Sequence, residues 1–145
     1  MPATPELRCA TLIRAPAEAV YELIATAEGL DRWFTSGASL DPRPGGIIVY
    51  RWKDWGPDRV TAESSGTVHE AIPPTRFVFD WDVGWGRRAT AEFTLEPVES
   101  GCVLRLREHG YGDTPEGHLA LASEASGWGE AMTLIKFMAE HGLRY

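Results

Sequence analysis

The sequence predicts an α+β fold in which a curved antiparallel sheet of about six or seven strands is covered by one long C-terminal helix. In the middle of the chain, residues 47–107 alternate between apolar and polar side chains in short segments that are separated by turns. Such alternation is typical of antiparallel strands with one covered face. Near the C-terminus, residues 119–141 repeat their apolar side chains at helical spacing instead. All 145 residues are expected to form a single domain.

The first third of the chain is predicted to hold one strand and then two short helices. Residues 6–14 are rich in apolar and β-branched side chains, which favours a first strand. Pro16 and Glu18 suit the start of a helix. We expect Gly29 to interrupt this helix, so that a second short helical turn carries Trp33.

Six further strands are predicted from the alternation, and turn-forming residues separate them. The longest of them is expected to contain a bulge near Gly66. Trp55 and Trp85 fall in predicted loops, and the sequence leaves their roles open. The predicted strands cover residues 36–41, 47–52, 59–72, 77–82, 89–96 and 102–107.

The final segment has the signals of a long helix. Thr114 is a suitable N-cap, Pro115 follows it at the first helical position, and Gly142 supplies a stop. Gly127 and Gly129 lie in mid-helix, which predicts a kink or a close backbone contact there. The inward stripe is predicted to comprise Leu121, Ala125, Trp128, Met132, Ile135 and either Met138 or Ala139.

The charge balance and the apolar content exclude several classes of function. The net charge is −7 and no basic stripe is present, so nucleic acid would be repelled. No apolar run is long enough for membrane insertion, and a cytoplasmic location is expected. Cys9 and Cys102 lie far apart without a Cys/His cluster, which predicts two buried reduced thiols and no metal site. No cofactor is expected either.

Short motifs spread over nearly the whole chain carry a family resemblance. They occupy residues 15–21, 33–34, 43–46, 66–70 running into 73–74, 76–81, 93–97, 110–111 and 127–128. In this order and spacing they resemble the activator of Hsp90 ATPase homologue 1-like family, within the START/Bet v1-like helix-grip superfamily. The resemblance implies a cavity between the sheet and the long helix. It implies no single function, because relatives bind lipids, hormones or polyketides, act as cyclases or hydrolases, or activate a chaperone.

We predict that inward-facing side chains line this cavity and bind a ligand. For any single aromatic residue among them plain core is the favoured interpretation, because burial alone stabilises a fold. For the set, the family resemblance and the six tryptophans favour a cavity. Trp33 is expected at the pocket mouth and Trp128 on the inward stripe of the helix. The predicted ligand-binding residues are Trp33, Tyr50, Trp52, Val68, Phe79, Trp81, Phe93, Leu106, Glu108, Tyr111, Trp128 and Met132.

Glu108 is the candidate catalytic residue. It is in strand phase with Cys102, Leu104 and Leu106, which places it on the inward face. A buried carboxylate is costly unless it is paired, hydrogen-bonded or protonated. Glu108 is therefore either a polar anchor or general acid in the pocket, or it follows the end of the strand and reaches solvent or an arginine.

Three functions remain open from the sequence. The leading hypothesis is the binding of a small hydrophobic or amphipathic ligand without metal or cofactor. The second is an enzyme of cyclase, hydratase or hydrolase type that uses Glu108 or a tyrosine in the same cavity. The third, an Hsp90 co-chaperone-like module, is the least favoured, because a single domain leaves no second part to clamp a partner. Exposed strand edges also make a homodimer conceivable.

Overall fold

A computed structural model describes residues 4–144 of the chain. It contains seven strands and three helices, which confirms the predicted α+β class and the long C-terminal helix. In chain order the elements are β1 (Glu6–Ile13), α1 (Ala17–Ala25), α2 (Ala27–Trp33), β2 (Ser39–Leu40), β3 (Ile47–Trp55), β4 (Val60–Ile72), β5 (Arg76–Gly84), β6 (Arg87–Val98), β7 (Gly101–His109) and α3 (Pro115–His141).

All seven strands belong to one antiparallel sheet in the order β1-β7-β6-β5-β4-β3-β2. The strands from β2 to β7 neighbour one another in sequence order, as expected for short hairpin connections. The first strand closes the sheet at its other edge by pairing with β7, so that Leu7 lies opposite Glu108. On the other side of β7, Ala91 of β6 is the partner of Glu108. The residue is thus held in the middle of three paired strands.

The core lies between the inner face of the sheet and the helices. Alternate residues of β5, Phe77, Phe79 and Trp81, are at most 6% exposed, and Trp128 and Ile135 of α3 pack in the same core. Full burial of one such large apolar side chain contributes roughly 1.5–3 kcal/mol. Burial of this face is therefore what fixes α3 across the sheet.

The break between the two short helices lies at Thr26, so the prediction that Gly29 interrupts the first helix is wrong. The Thr26 hydroxyl caps α2 by accepting a hydrogen bond from the Gly29 amide at 2.9 Å. Gly29 itself lies inside α2 at a close backbone contact. A Cβ atom there would stand 1.9 Å from the Glu22 carbonyl oxygen. Glycine is required because the two helices approach each other closely, rather than to end a helix.

Two strand predictions also need correction. Gly66 pairs regularly with Trp81, and the register shift between β4 and β5 falls between Val68 and Glu70 instead. The glycine is explained by the closeness of β5, since a Cβ atom on it would lie 1.6 Å from the Asp80 carbonyl oxygen. Trp55 is the last residue of β3 and does not lie in a loop.

Helix α3 runs unbroken for 27 residues and ends at Gly142, whose φ of 66° lies in the left-handed region. The predicted close backbone contact at Gly127 or Gly129 is wrong, because no atom lies within 4 Å of a Cβ atom built on either. Ala125, predicted on the inward stripe, is exposed. No helix within residues 4–144 is both long enough and apolar enough to cross a membrane.

The contrast between helical glycines gives a test of the packing. We expect Gly29→Ala to destabilise the protein, because its methyl group would collide with backbone atoms that cannot move independently. Gly129→Ala should stabilise it by up to about 1 kcal/mol, because alanine favours an exposed helical position with open space around it. Urea unfolding monitored by circular dichroism measures both effects. Equal stability of the two variants would contradict the close contact between α1 and α2.

Candidate ligand-binding cleft

A half-open cleft of about 580 Å³ lies between α3 and the ends of β3 and β4. The helix contributes one wall, the strands and their connecting turn contribute the other, and Phe34 closes one side from the end of α2. The volume is in the range of small-molecule sites. The cleft is lined by Phe34, Trp52, Trp55, Gly56, Pro57, Asp58, Val60, Trp81, Ser123, Glu124, Ser126, Gly127, Trp128, Glu130, Ala131 and Leu134.

Five aromatic side chains form a continuous wall around this cleft. Phe34 meets the rings of Trp52 and Trp55 nearly at right angles, with centroids 5.3 and 5.6 Å apart. Deeper in the cleft, Trp81 lies 6.3 Å from Trp52 and 5.6 Å from Trp128. Aromatic pairs at such distances and tilts attract each other beyond the effect of burial. The wall therefore has its own packing and is held in place without a ligand.

Two indole groups in this wall carry buried N–H donors that lack a partner. The Nε1 atoms of Trp52 and Trp128 make no hydrogen bond among residues 4–144, although both are shielded from solvent. By contrast, Trp33 donates to the Leu23 carbonyl at 2.8 Å and Trp81 to the Glu108 carboxylate at 2.9 Å. A buried donor without an acceptor costs roughly 1–3 kcal/mol. An acceptor atom on a ligand could satisfy either group.

Glu108 lies behind the cleft and is wholly buried, at 0% exposure. One of its carboxylate oxygens accepts the hydrogen bond from the Trp81 indole, and the other accepts one from the Tyr111 hydroxyl. The strand thus continues through Glu108, and the alternative in which this residue reaches solvent does not apply. The side chain is satisfied by two neutral donors and makes no ion pair among the described residues.

Glu124, on α3, brings a second carboxyl group beside Glu108. Burial, and then the neighbouring Glu108 carboxyl group, raise the pKa of Glu124 to about 9. The smallest influence is the nearby N–H group of the Trp128 indole, one turn further along α3, which lowers the pKa although its geometry falls short of a hydrogen bond to Glu124. A charge on Glu124 would be costly beside Glu108 in this low-dielectric site, so Glu124 keeps its proton at neutral pH.

The other titratable groups near this pair remain in their neutral forms. Burial and the adjacent Glu108 raise the pKa of Tyr111 and of Tyr50 above the ordinary phenol range. The same two causes raise the pKa of the Cys9 thiol. The phenols and the thiol nearest to the pair are thus neutral at pH 7.

The predicted site residues divide into two groups. Trp52, Trp81 and Trp128 line the cleft, and Glu108 and Tyr111 lie directly behind Trp81. Trp33 does not reach the mouth, because it is 2% exposed and stacks beneath Phe34 at a centroid distance of 4.6 Å. The remaining predicted residues are buried in the closed core: Tyr50, Val68, Phe79, Phe93, Leu106 and Met132.

Most residues of the cleft were not predicted from the sequence, and the most informative of these are Phe34, Trp55 and Glu124. Glu124 lies four residues after Ala120 and four before Trp128, both of which are buried. This spacing places it on the inward stripe, but a search for apolar side chains passes over a glutamate. Within residues 4–144, no group of three or more His, Cys, Asp or Glu side chains is placed to hold a metal ion.

The fold and the cleft define a helix-grip protein, in which a curved antiparallel sheet and a long C-terminal helix enclose a partly aromatic space. The chain belongs to the family described as activator of Hsp90 ATPase homolog 1-like protein, whose model matches residues 14–140. No curated protein matches the sequence significantly.

Solved structures with the same fold are distant in sequence. A protein from Rhodobacter sphaeroides is 24% identical with a TM-score of 0.74, over 92% of this chain and 91% of the other. The Aha1 dimer from Colwellia psychrerythraea is 20% identical with a TM-score of 0.74, over 96% and 98%. DynU16, from the dynemicin biosynthetic locus, is 19% identical with a TM-score of 0.78, over 94% of this chain and 48% of the other. These likenesses show the fold alone, and a homodimer of this chain stays a prediction.

The raised pKa of Glu124 predicts a pH-dependent effect on stability. Between its ordinary value of 4.5 and about 9, the folded protein retains a proton that the unfolded chain releases. Stability should therefore fall as the pH rises through this window, by at most about 1.4 kcal/mol per pH unit. Glu124→Gln removes this penalty, so it should stabilise the protein more at pH 8 than at pH 5.

Urea unfolding at pH 5, 6.5 and 8 measures this difference. Glu99→Gln is the matched control, because it removes the same formal charge from an exposed turn. If Glu124→Gln lowers the free energy of unfolding by the same amount at every pH, the prediction that folded Glu124 retains its proton is wrong.

Proposed function

We propose that the protein binds a small amphipathic molecule in the aromatic cleft. The proposal rests above all on the two buried indole donors of Trp52 and Trp128, which have no acceptor among the described residues. Ligand sites are mostly apolar and contain a few polar groups that orient the ligand. An aromatic wall with two unpaired N–H groups and three carboxyl groups, of Asp58, Glu124 and Glu130, has this composition.

The shape of the cleft supports a ligand with an apolar body and at least one hydrogen-bond acceptor. A volume of about 580 Å³ accommodates a molecule of a few rings or a medium-length chain. The partly exposed rings of Phe34, Trp52 and Trp55 would contact the apolar body. An acceptor near Trp128 would recover the hydrogen bond that this indole lacks in the empty protein.

A neutral fluorescent ketone, 6-propionyl-2-dimethylaminonaphthalene, tests this proposal. Its naphthalene ring is apolar, its carbonyl oxygen accepts hydrogen bonds, and its emission shifts to the blue in apolar surroundings. We expect binding with a blue shift in the wild-type protein. Trp52→Phe and Trp128→Phe keep an aromatic ring but remove the N–H group, so one or both should weaken binding by about 2–10-fold.

Trp85→Phe is the matched control, since Trp85 is 54% exposed and does not line the cleft. This variant should bind the ketone as the wild-type protein does. The proposal fails if the dye does not bind, or if all three variants bind it equally well.

A second candidate is acid–base catalysis on the bound molecule, and the specific observation in its favour is the carboxyl pair of Glu108 and Glu124. A protonated Glu124 can supply an acid to a bound molecule, as a dehydration requires, and the second carboxyl group lies beside it. Glu124 lines the cleft, whereas Glu108 is buried behind it and does not contact the space that a ligand would occupy. Glu124 would therefore be the group that contacts a substrate.

Mass spectrometry of a compound that co-purifies with the protein separates the two functions. The compound is released, returned to fresh wild-type protein and analysed after incubation. Recovery of the unchanged compound supports binding. A product of altered mass or retention time that Glu124→Gln does not form supports catalysis.

A further inference from the structure

We propose that the molecule bound in the cleft carries a positively charged ammonium group, which lies beside Glu124 and against the partly exposed rings of Phe34, Trp52 and Trp55. This inference rests on the proposed binding function and adds the chemical class of the ligand. Three independent features of the cleft support it: the charges of its lining, the absence of a protein cation near the buried carboxyl pair, and the aromatic composition of the wall.

The lining carries acidic groups and no basic ones. Asp58, Glu124 and Glu130 line the cleft, and its lining contains no lysine or arginine. The basic residue beside it in the turn, Arg59, points to Asp54 at 3.6 Å. A ligand with a carboxylate or a phosphate would meet only like charges here, and its desolvation would not be compensated.

Within the described part of the chain, residues 4–144, no cationic group forms an ion pair with the carboxyl pair beneath the cleft. Elsewhere on the sheet, acidic side chains that are partly buried are neutralised by arginine, as Glu92 is by Arg76 at 2.7 Å and Arg107 at 2.5 Å. Glu108 is more deeply buried than Glu92, yet its hydrogen-bond donors are the neutral groups of Trp81 and Tyr111. Buried charges in proteins are usually paired. A cation supplied by the ligand would provide the partner that the chain does not.

The aromatic side chains complete the site. Phe34, Trp52 and Trp55 are partly exposed in the same cleft as Glu124. Ammonium groups are attracted to the faces of aromatic rings, and most strongly to tryptophan. Quaternary ammonium ligands are recognised by sites of this composition, in which several rings and one carboxylate surround the cation.

Binding of such a cation should release a proton. Glu124 holds a proton in the empty protein at neutral pH, and a neighbouring cation would favour its ionised form. The titratable groups that face it are Glu108 and Tyr111 behind the cleft, and Asp58 and Glu130 share its lining. The phenol of Tyr111 is already protonated and cannot take up the proton, and no lysine or histidine lines the cleft. The proton therefore goes to solvent.

The experiment compares three probes that share a ten-carbon chain and differ in charge: decyltrimethylammonium, 1-decanol and decanoate, each below its micellar concentration. Isothermal titration calorimetry at pH 7 in two buffers of different ionisation enthalpy gives affinity and proton release. The quaternary group does not titrate, so any pH dependence comes from the protein. We expect the cation to bind more tightly than decanol by at least about 5-fold, decanoate to bind weakest, and about one proton to be released per bound cation.

Glu124→Gln should abolish the proton release and reduce the preference for the cation to that of decanol. Glu99→Gln makes the same chemical substitution on an exposed turn and should change neither quantity. This control separates a specific site from the general attraction of cations to a protein of net charge −7. Between pH 6.5 and 8.5, affinity for the cation should rise by up to about 100-fold in the wild-type protein and stay constant in Glu124→Gln.

The outcomes distinguish this inference from the function on which it rests. If decanol or decanoate binds as tightly as the cation, or if no proton is released, the ligand is not cationic but the cleft still binds an apolar molecule. If none of the three probes binds and the neutral ketone also fails, the binding function itself is wrong. Equal cation binding in wild-type, Glu99→Gln and Glu124→Gln proteins would overturn the role of Glu124.

Discussion

The burial of the Glu108 carboxyl group without a cation is the constraint on which the cleft depends. Glu108 lies on the inner face of β7, paired with β1 on one side and β6 on the other, so the group cannot turn to solvent. Its two oxygens must then be satisfied from inside. The Trp81 indole and the Tyr111 hydroxyl meet this need. These bonds fix one wall of the cleft and the loop that leads into α3, so a single carboxyl group orients the elements around the site.

The burial of Glu108 also affects helix α3, because Glu124 of that helix lies beside it. Helix α3 has to cover the apolar face of the sheet, and its inward stripe is formed by residues three or four positions apart: Ala120, Glu124, Trp128, Ala131 and Ile135. A glutamate on this stripe meets Glu108 and can remain there only by keeping its proton, which is the physical cause of its raised pKa. The contact between sheet and helix is thus apolar along most of α3 and acidic at one point, and this point is where the cleft opens.

The spacing of apolar residues predicted the architecture well, because the side chains that form the core recur at strand and helix periods along the chain. Alternation along β5 and β7 placed Trp81 and Glu108 on the inner face, and the family motifs agreed with the order of the elements. Details that depend on contacts between distant segments were not predictable in the same way. Trp33 was expected to be exposed at the mouth, but it is buried, and the partly exposed aromatic residue at the end of α2 is Phe34. Glu124 was not predicted because inward positions of the helix were expected to be apolar. Gly29 and Gly66 were interpreted as interruptions, although each serves a close approach of backbones that only the folded chain reveals.

The cleft remains open in a protein that has enough aromatic side chains to fill it, and the reason lies in how those side chains are bonded. Among the tryptophans of the core and the cleft, Trp33 and Trp81 donate their N–H groups to acceptors of the chain, whereas Trp52 and Trp128 have no acceptor within hydrogen-bond distance among residues 4–144. Closing the space by moving α3 toward the sheet would bring Glu124 still nearer to Glu108 and would bury both orphan indoles more deeply. Repulsion and desolvation oppose this collapse. The features that make the empty cleft costly are therefore the ones that hold it open, and a ligand that supplies an acceptor and a cation would relieve both costs at once.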